Sequence, residues 1–196
     1  MAKLQSDNLT LEIKFYRFES EWIGYKIKFY WKEDLIVNDN ILKRTGEWWY
    51  KRDYGTFLAN DYEGDHLIET IKKVLQTNET EYWEPIEPDV KIGIYPDIFF
   101  PFLKSQWVLV EEDGEKYMQK EKNENSKSLD KSPEDLFTII TLIDTYNFKD
   151  SGAYSGEGIS LHLIVTRKDL EKFVTDLETE YNDLIKSDTY NSKIPF

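Results

Sequence analysis

The chain has 196 residues, which is long enough for one sizeable hydrophobic core. Its 25 Lys and Arg against 38 Asp and Glu give a net charge of −13, and this disfavours nucleic acid or anionic membrane as a partner because phosphate groups would be repelled. The absence of cysteine excludes disulfides, zinc–thiolate sites and cysteine nucleophiles.

The first part of the chain predicts antiparallel strands. Apolar residues alternate through 9–19 and 21–32, which indicates two half-buried strands joined by a short turn near Glu19–Glu21. LIVNDNILKR predicts a short strand, an Asn-Asp-Asn turn and a second short strand. GEWWYKRDYGTFLAN predicts another strand pair, with its turn near Asp53–Gly55.

A first amphipathic helix is predicted over about residues 65–77, where apolar residues recur at helical spacing. Either Asp61 or Asp65 has the side chain to cap its N-terminus. The helix is expected to stop near Thr77–Asn78.

The stretch EYWEPIEPDVKIGIYP follows this helix and contains two Glu-Pro pairs. Proline fixes its own φ and biases the preceding residue away from helix, so Pro85 and Pro88 hold the chain extended. A strand is predicted to begin near Asp89, with its alternate apolar residues turned towards the core.

The second half predicts three more strands, at 106–113, 136–148 and 159–166. Residues 111–135 lose almost all apolar character and carry both charge signs. We interpret them as a charged, mobile surface excursion of a single domain spanning residues 1–196, and not as a domain linker.

A second amphipathic helix is predicted over about 167–186, with Thr166 and Asp169 in the positions of a capping box. Its apolar stripe faces the core and its outer face is acidic. The order strands, helix, strands, helix predicts an α+β fold with a mostly antiparallel β-sheet and two main helices.

No stretch of the sequence carries a catalytic signature. The only histidines, His66 and His162, have no metal-ligand spacing, and GAYSG does not match the G-x-S-x-G of a nucleophile elbow. We therefore expect a protein that is not an enzyme and has no cofactor or metal. The N-terminus lacks an apolar signal region and no run of about 18 apolar residues occurs, which predicts a cytoplasmic protein.

Acidic residues alternate with aromatic residues in two segments, EWWYKRDYG and EYWEPIEP. Exposed aromatic rings surrounded by carboxylates suit binding to a basic protein, because the rings supply binding energy and the acids steer the partner. The alternative is a cross-strand aromatic pair that fills a second core face. The candidate partner-binding residues are Trp48, Tyr50, Asp53, Trp83, Glu84 and Glu87.

Two segments, WEPIEPDVKIGIYP and GISLHLIVTRKDLEKFVTDLETEYNDL, carry a resemblance to a known family. The first resembles the acid-and-proline block before a middle strand of the WapI-like bacterial immunity proteins, and the second resembles their closing strand, charged turn and helix. The helix HLIETIKKVLQ also has the family's position before the Glu-Pro block, so that the resemblance covers about half of the chain. It implies a non-enzymatic, antitoxin-like protein that binds and neutralises a cognate toxin domain.

Two other functions remain open from the sequence: a small-molecule or carbohydrate-binding module, and a structural domain. The aromatic residues discriminate between them. Outward rings lining a deep cleft would favour a ligand site, whereas full burial of Trp48, Trp49, Tyr82 and Trp83 would remove the residue-level case for either kind of binding.

Overall fold

The structure is a computed structural model that describes residues 1–19, 21–37, 55–59, 66–85, 90–97, 105–112, 115–122, 135–144 and 158–191. These residues form an α+β fold of antiparallel sheets and two helices, as predicted. The elements are β1 (Ala2–Ser6), β2 (Leu9–Glu19), β3 (Trp22–Trp31), β4 (Asp34–Val37), β5 (Gly55–Leu58), α1 (Leu67–Thr77), β6 (Glu81–Trp83), β7 (Val90–Pro96), β8 (Ser105–Glu112), β9 (Glu115–Lys122), β10 (Leu136–Asp144), β11 (Gly158–Thr166) and α2 (Arg167–Asn191).

Sheet A has the order β1-β2-β3-β4, and β5 also pairs with β3. The β2–β3 hairpin confirms the strands predicted over 9–19 and 21–32, and Glu21 in its turn takes a left-handed φ of 72°. Alternate residues of β2 and β3 face the core, including the fully buried Ile13 and Ile27, which lie directly opposite each other.

Sheet B has the order β11-β10-β7-β6, and every neighbouring pair is antiparallel. Its strands β7, β10 and β11 confirm the strands predicted from about 89, 136 and 159. The strand β6 was not predicted. It pairs with β7 through Trp83 and Ile92, so the Glu-Pro block connects two strands of one hairpin instead of merely leading into a sheet.

The strands β8 and β9 form a separate two-stranded antiparallel sheet. The first confirms the strand predicted at 106–113. The second lies inside the predicted excursion at 111–135. It is held by backbone pairing with β8, with Leu109 opposite Met118 and Val110 opposite Tyr117, so the excursion includes one arm of a hairpin.

Helix α1 ends where the sequence predicts but begins differently. Asn78 at its C-terminus is left-handed and donates its backbone N–H to the carbonyl oxygen of Val74 at 2.8 Å. At the other end, His66 occupies the N-cap position, and its side chain makes no capping hydrogen bond. Asp61 and Asp65 lie outside the described residues.

Helix α2 extends five residues beyond its predicted end at 186. Thr166 caps it, since the backbone N–H of Asp169 donates to the Thr166 hydroxyl at 3.2 Å. That hydroxyl in turn donates to the Asp169 carboxylate at 2.6 Å. The predicted pairing is thus confirmed, with the carboxylate accepting from the side chain of Thr166 and not from its backbone.

The two sheets and the two helices share one hydrophobic core. Its aromatic centre is Phe57 of β5, whose ring lies 5.3 Å from that of Phe15, 5.8 Å from that of Trp83 and 5.4 Å from the imidazole of His66. The strand β5 therefore links sheet A to β6 and to the start of α1 through ring contacts.

Candidate functional site on the outer face of sheet B

Strand β6 divides two neighbouring aromatic residues between core and surface. Successive residues of a strand point to opposite faces, and accordingly Trp83 is 1% exposed whereas Tyr82 is 63% exposed. The Trp83 ring packs against Tyr25 at 5.6 Å and Phe57 at 5.8 Å. Because its side chain is buried, Trp83 is not available to contact a partner.

Tyr82 and Tyr95 form an aromatic pair on the outer face of sheet B. Tyr82 lies opposite Gly93, and Tyr95 follows two residues later on the same face. The two rings meet edge to face, with centroids 5.7 Å apart and planes at 85°. A Cβ on Gly93 would lie 2.9 Å from Cε2 of Tyr95, so the absence of a side chain there lets the Tyr95 ring lie close to the strand.

The protonation state of Tyr95 follows from its position. Burial raises the pKa of the Tyr95 phenol well above its usual range, and the hydrogen bond with Tyr82 acts in the same direction. Tyr95 therefore stays a neutral phenol at physiological pH and supports the more exposed Tyr82 ring.

Glu84 lies at the surface beside this pair. Its Oε1 is 2.7 Å from the Nζ of Lys91, and its side chain remains 57% exposed. An exposed ion pair contributes at most about 1 kcal/mol to stability, but it restricts where the carboxylate lies. We call Tyr82, Glu84, Lys91 and Tyr95 together the Tyr82 surface.

The same face continues across β10 and β11 with half-buried aliphatic and polar side chains. His162 lies opposite Ile140, and its Nε2 is 3.1 Å from the hydroxyl of Ser160. Burial lowers the pKa of His162, which favours the neutral imidazole. Ser160 and His162 lie on one extended strand, whereas a serine nucleophile requires a constrained turn.

Four of the six candidate partner-binding residues, Trp48, Tyr50, Asp53 and Glu87, lie outside the described residues. Of the other two, Glu84 is at the surface and Trp83 is in the core. The sequence interpretation did not include Tyr82 and Tyr95 in the candidate set. Their signal was the alternation of β7, in which inward Ile92 and Ile94 turn Tyr95 outward.

Within the described ranges, no group of three or more His, Asp or Glu side chains is arranged to hold a metal ion. His66, predicted at the start of the first helix, is 5% exposed and lies edge-on to the ring of Tyr181 at 5.1 Å.

No helix in the described part of the chain is long and apolar enough to cross a membrane.

The fold and the site define an α+β protein with an aromatic pair on one open sheet face. No protein-family model, curated protein or solved structure matches the chain. The similarity to the WapI-like immunity proteins therefore stays a prediction based on the segments that carry it.

Proposed function

We propose that this protein is a non-enzymatic, cytoplasmic immunity or antitoxin-like protein, which binds and neutralises a toxin domain through the Tyr82 surface. The observation that carries the proposal is the 63% exposure of Tyr82, whose ring is nevertheless held edge to face by Tyr95. A large exposed ring with a fixed orientation is the kind of side chain that dominates protein–protein binding energy.

The fixed ring lowers the cost of association. Ordering a mobile side chain at an interface costs about 0.5–1.5 kcal/mol, and contact with Tyr95 supplies part of that order before binding. The exposure of Tyr82 also favours a protein over a small molecule, because pockets for small ligands enclose most of the ligand in a concave site.

The net charge of the chain, −13, would steer a basic toxin towards it.

The test is a binding measurement with the product of the neighbouring gene, by pull-down and then by titration calorimetry. Tyr82→Ala is expected to weaken binding by about 2 kcal/mol, or roughly thirtyfold, as for a central aromatic contact. Glu84→Lys is expected to slow association, because it reverses a steering charge. Unchanged affinity in Tyr82→Ala would refute this surface.

Trp31→Ala provides the matched control. Trp31 is a comparably exposed aromatic residue, at 50%, but it lies on β3 of sheet A. We expect this variant to bind the partner as the unaltered protein does. An equal loss of affinity in Trp31→Ala and Tyr82→Ala would show that removing any exposed ring perturbs binding, and the Tyr82 surface would lose its special role.

A further inference from the structure

The described side chains on the outer face of sheet A carry a net charge opposite to that of the whole chain. Residues that alternate with the buried ones on β1, β2 and β3 point away from the core. The charged residues among them whose side chains the structure describes are five basic residues and one acidic residue. They are Lys3, Glu12, Lys14, Arg17, Lys26 and Lys28.

Glu12, the acid among these described side chains, is buried and paired with a lysine. Glu12 is 4% exposed, and its Oε2 is 3.2 Å from the Nζ of Lys3. Cross-strand neighbours enclose it, with Lys3 opposite on β1 and Lys28 opposite on β3. The solvent therefore meets lysine side chains over a carboxylate that is already paired.

Two lysines of the face lie directly opposite each other. Lys14 and Lys26 are register partners on β2 and β3, an arrangement of like charges that is unfavourable in a sheet. The Lys26 Nζ lies 5.3 Å from the ring centroid of Tyr16, which offsets part of this repulsion. A single acidic residue at either position would instead have formed a favourable pair with the lysine opposite.

An apolar contact point adjoins the lysines. Tyr30 follows Lys28 by two residues on the same face, and it lies opposite Leu35 of β4. Leu35 is 47% exposed. The row beside the lysines thus carries a tyrosine ring and an open leucine, which is the combination of anchor and charged rim found in protein interfaces.

We propose that this basic face, made of Lys3, Lys14, Lys26, Lys28, Tyr30 and Leu35, is a second docking surface and binds an acidic protein segment that carries apolar side chains. It belongs to sheet A, whereas the Tyr82 surface belongs to sheet B. The occupant follows from charge complementarity. The lysines attract carboxylates, and Tyr30 and Leu35 supply apolar area for a side chain between those carboxylates.

The small size of the face favours a protein segment over nucleic acid. Four strands spaced about 4.8 Å apart and three rows spaced about 6.8 Å apart give a footprint of about 14 Å by 14 Å. A phosphate backbone that extended beyond this area would meet a chain whose net charge is −13. An acidic protein segment can end within the footprint.

The test measures binding of a short, fluorescently labelled peptide of Glu-Glu-Leu repeats by anisotropy at low salt. Lys14→Glu/Lys28→Glu is expected to weaken binding by at least about tenfold, because two attractive charges become repulsive. Lys168→Glu/Lys186→Glu is the matched control, since both residues are exposed on α2 and the change in net charge is the same. This control is expected to bind as the unaltered protein does.

Thermal unfolding of each variant checks that it folds, and the milder Lys14→Gln/Lys28→Gln replaces the charge reversal if that variant does not. Leu35→Ser tests the apolar anchor and is expected to weaken binding about threefold. The proposal is overturned if the unaltered protein does not bind the peptide, or if both charge reversals weaken binding equally. Tighter binding of a single-stranded DNA of equal charge would also overturn it, in favour of a nucleic-acid site.

Discussion

Arg167 donates a hydrogen bond from Nη1 to the backbone carbonyl oxygen of Leu75, at 2.8 Å. Arg167 is the first residue of α2, and Leu75 lies in the last turn of α1. The same guanidinium forms an ion pair with Asp135, just before β10, and lies 5.0 Å from the ring centroid of Phe137. One side chain thus joins the two helices to the start of a central strand of sheet B.

Replacing this side chain should destabilise the fold. Arg167→Ala removes the charged hydrogen bond to a C-terminal carbonyl of α1 together with the ion pair, and we expect the free energy of unfolding to fall by about 2–3 kcal/mol. Urea denaturation followed by circular dichroism measures this. Lys168→Ala, at the exposed neighbouring position, should stay within about 0.5 kcal/mol of the unaltered protein. Similar losses in both variants would contradict the linking role of Arg167.

Gly55 is required by the ring that packs over it. It lies opposite Tyr25 in the β3–β5 pair, and a Cβ at this position would lie 2.2 Å from Cζ of the tyrosine. Because Tyr25 is buried against Phe57 and Trp83, its ring has little room to move. We expect Gly55→Ala to lower the free energy of unfolding by about 2 kcal/mol or more, which urea denaturation would detect.

A double-mutant cycle tests whether contact with the Tyr25 ring is what makes Gly55→Ala destabilising. Tyr25→Leu is destabilising by itself, because it removes ring contacts from the core. If the clash with the Tyr25 ring is the reason for the cost at residue 55, Gly55→Ala should cost clearly less in the Tyr25→Leu background. Additive costs would instead assign the effect to the backbone of β5.

The parts of the fold that the sequence predicts well are long and strictly patterned. The ten-residue alternation around Ile13 and Ile27 can only bury one face, and it predicted the β2–β3 hairpin correctly. The strand β6 has three residues, which is too short for a period to be recognised. Its existence depends on pairing with β7, a long-range contact that the local pattern does not contain.

The residues of the candidate site could not be chosen from the sequence for the same reason, because their orientation depends on long-range strand pairing. Whether Tyr82 or Trp83 faces the solvent depends only on the phase of β6, and that phase is set by the register with Ile92 and Gly93. For Glu84, the proline that follows predicts an extended backbone by local sterics, but the face its side chain takes depends on the same register. At the start of α1, the local sequence also gave no indication that His66 would be the N-cap residue, because its position follows from tertiary packing against Phe57 and Tyr181.

Two threonines of β10 should respond in opposite ways to the same substitution. The hydroxyl of Thr141 is fully buried and finds no hydrogen-bond partner, so far as the structure describes the chain. Its cross-strand neighbours are the aliphatic residues Ile92 and Leu161. Thr141→Val replaces a buried unsatisfied hydroxyl with a methyl group, and we expect it to raise the free energy of unfolding by about 1 kcal/mol.

Thr138→Val is the matched control on the same strand. The Thr138 hydroxyl is also buried, but it donates to the backbone carbonyl oxygen of Asp97 at 2.9 Å. Loss of that bond should lower the free energy of unfolding by about 1 kcal/mol. Urea denaturation of both variants measures the contrast, and destabilisation by Thr141→Val would show that its hydroxyl is satisfied in the native protein.

His162 should make stability depend on pH in a defined direction. Burial lowers the pKa of His162 from its ordinary value of 6.5, so the unfolded chain takes up this proton more readily than the folded one. The stabilising contribution is therefore fully present above about pH 6.5 and is lost as the pH falls towards the lower folded pKa. Carboxylates take up protons at lower pH. A comparison with a variant that lacks His162 therefore separates the effect of the histidine on stability from that of the carboxylates.

His162→Gln provides that comparison, because glutamine keeps a polar side chain next to Ser160 but does not titrate. Urea denaturation from about pH 7.5 to about pH 5 should show a steeper loss of unfolding free energy in the unaltered protein than in the variant. The plots of unfolding free energy against pH for the two proteins should run parallel above about pH 7 and separate below it. Parallel curves over the whole range would mean that His162 titrates with the same pKa in the folded and unfolded chains.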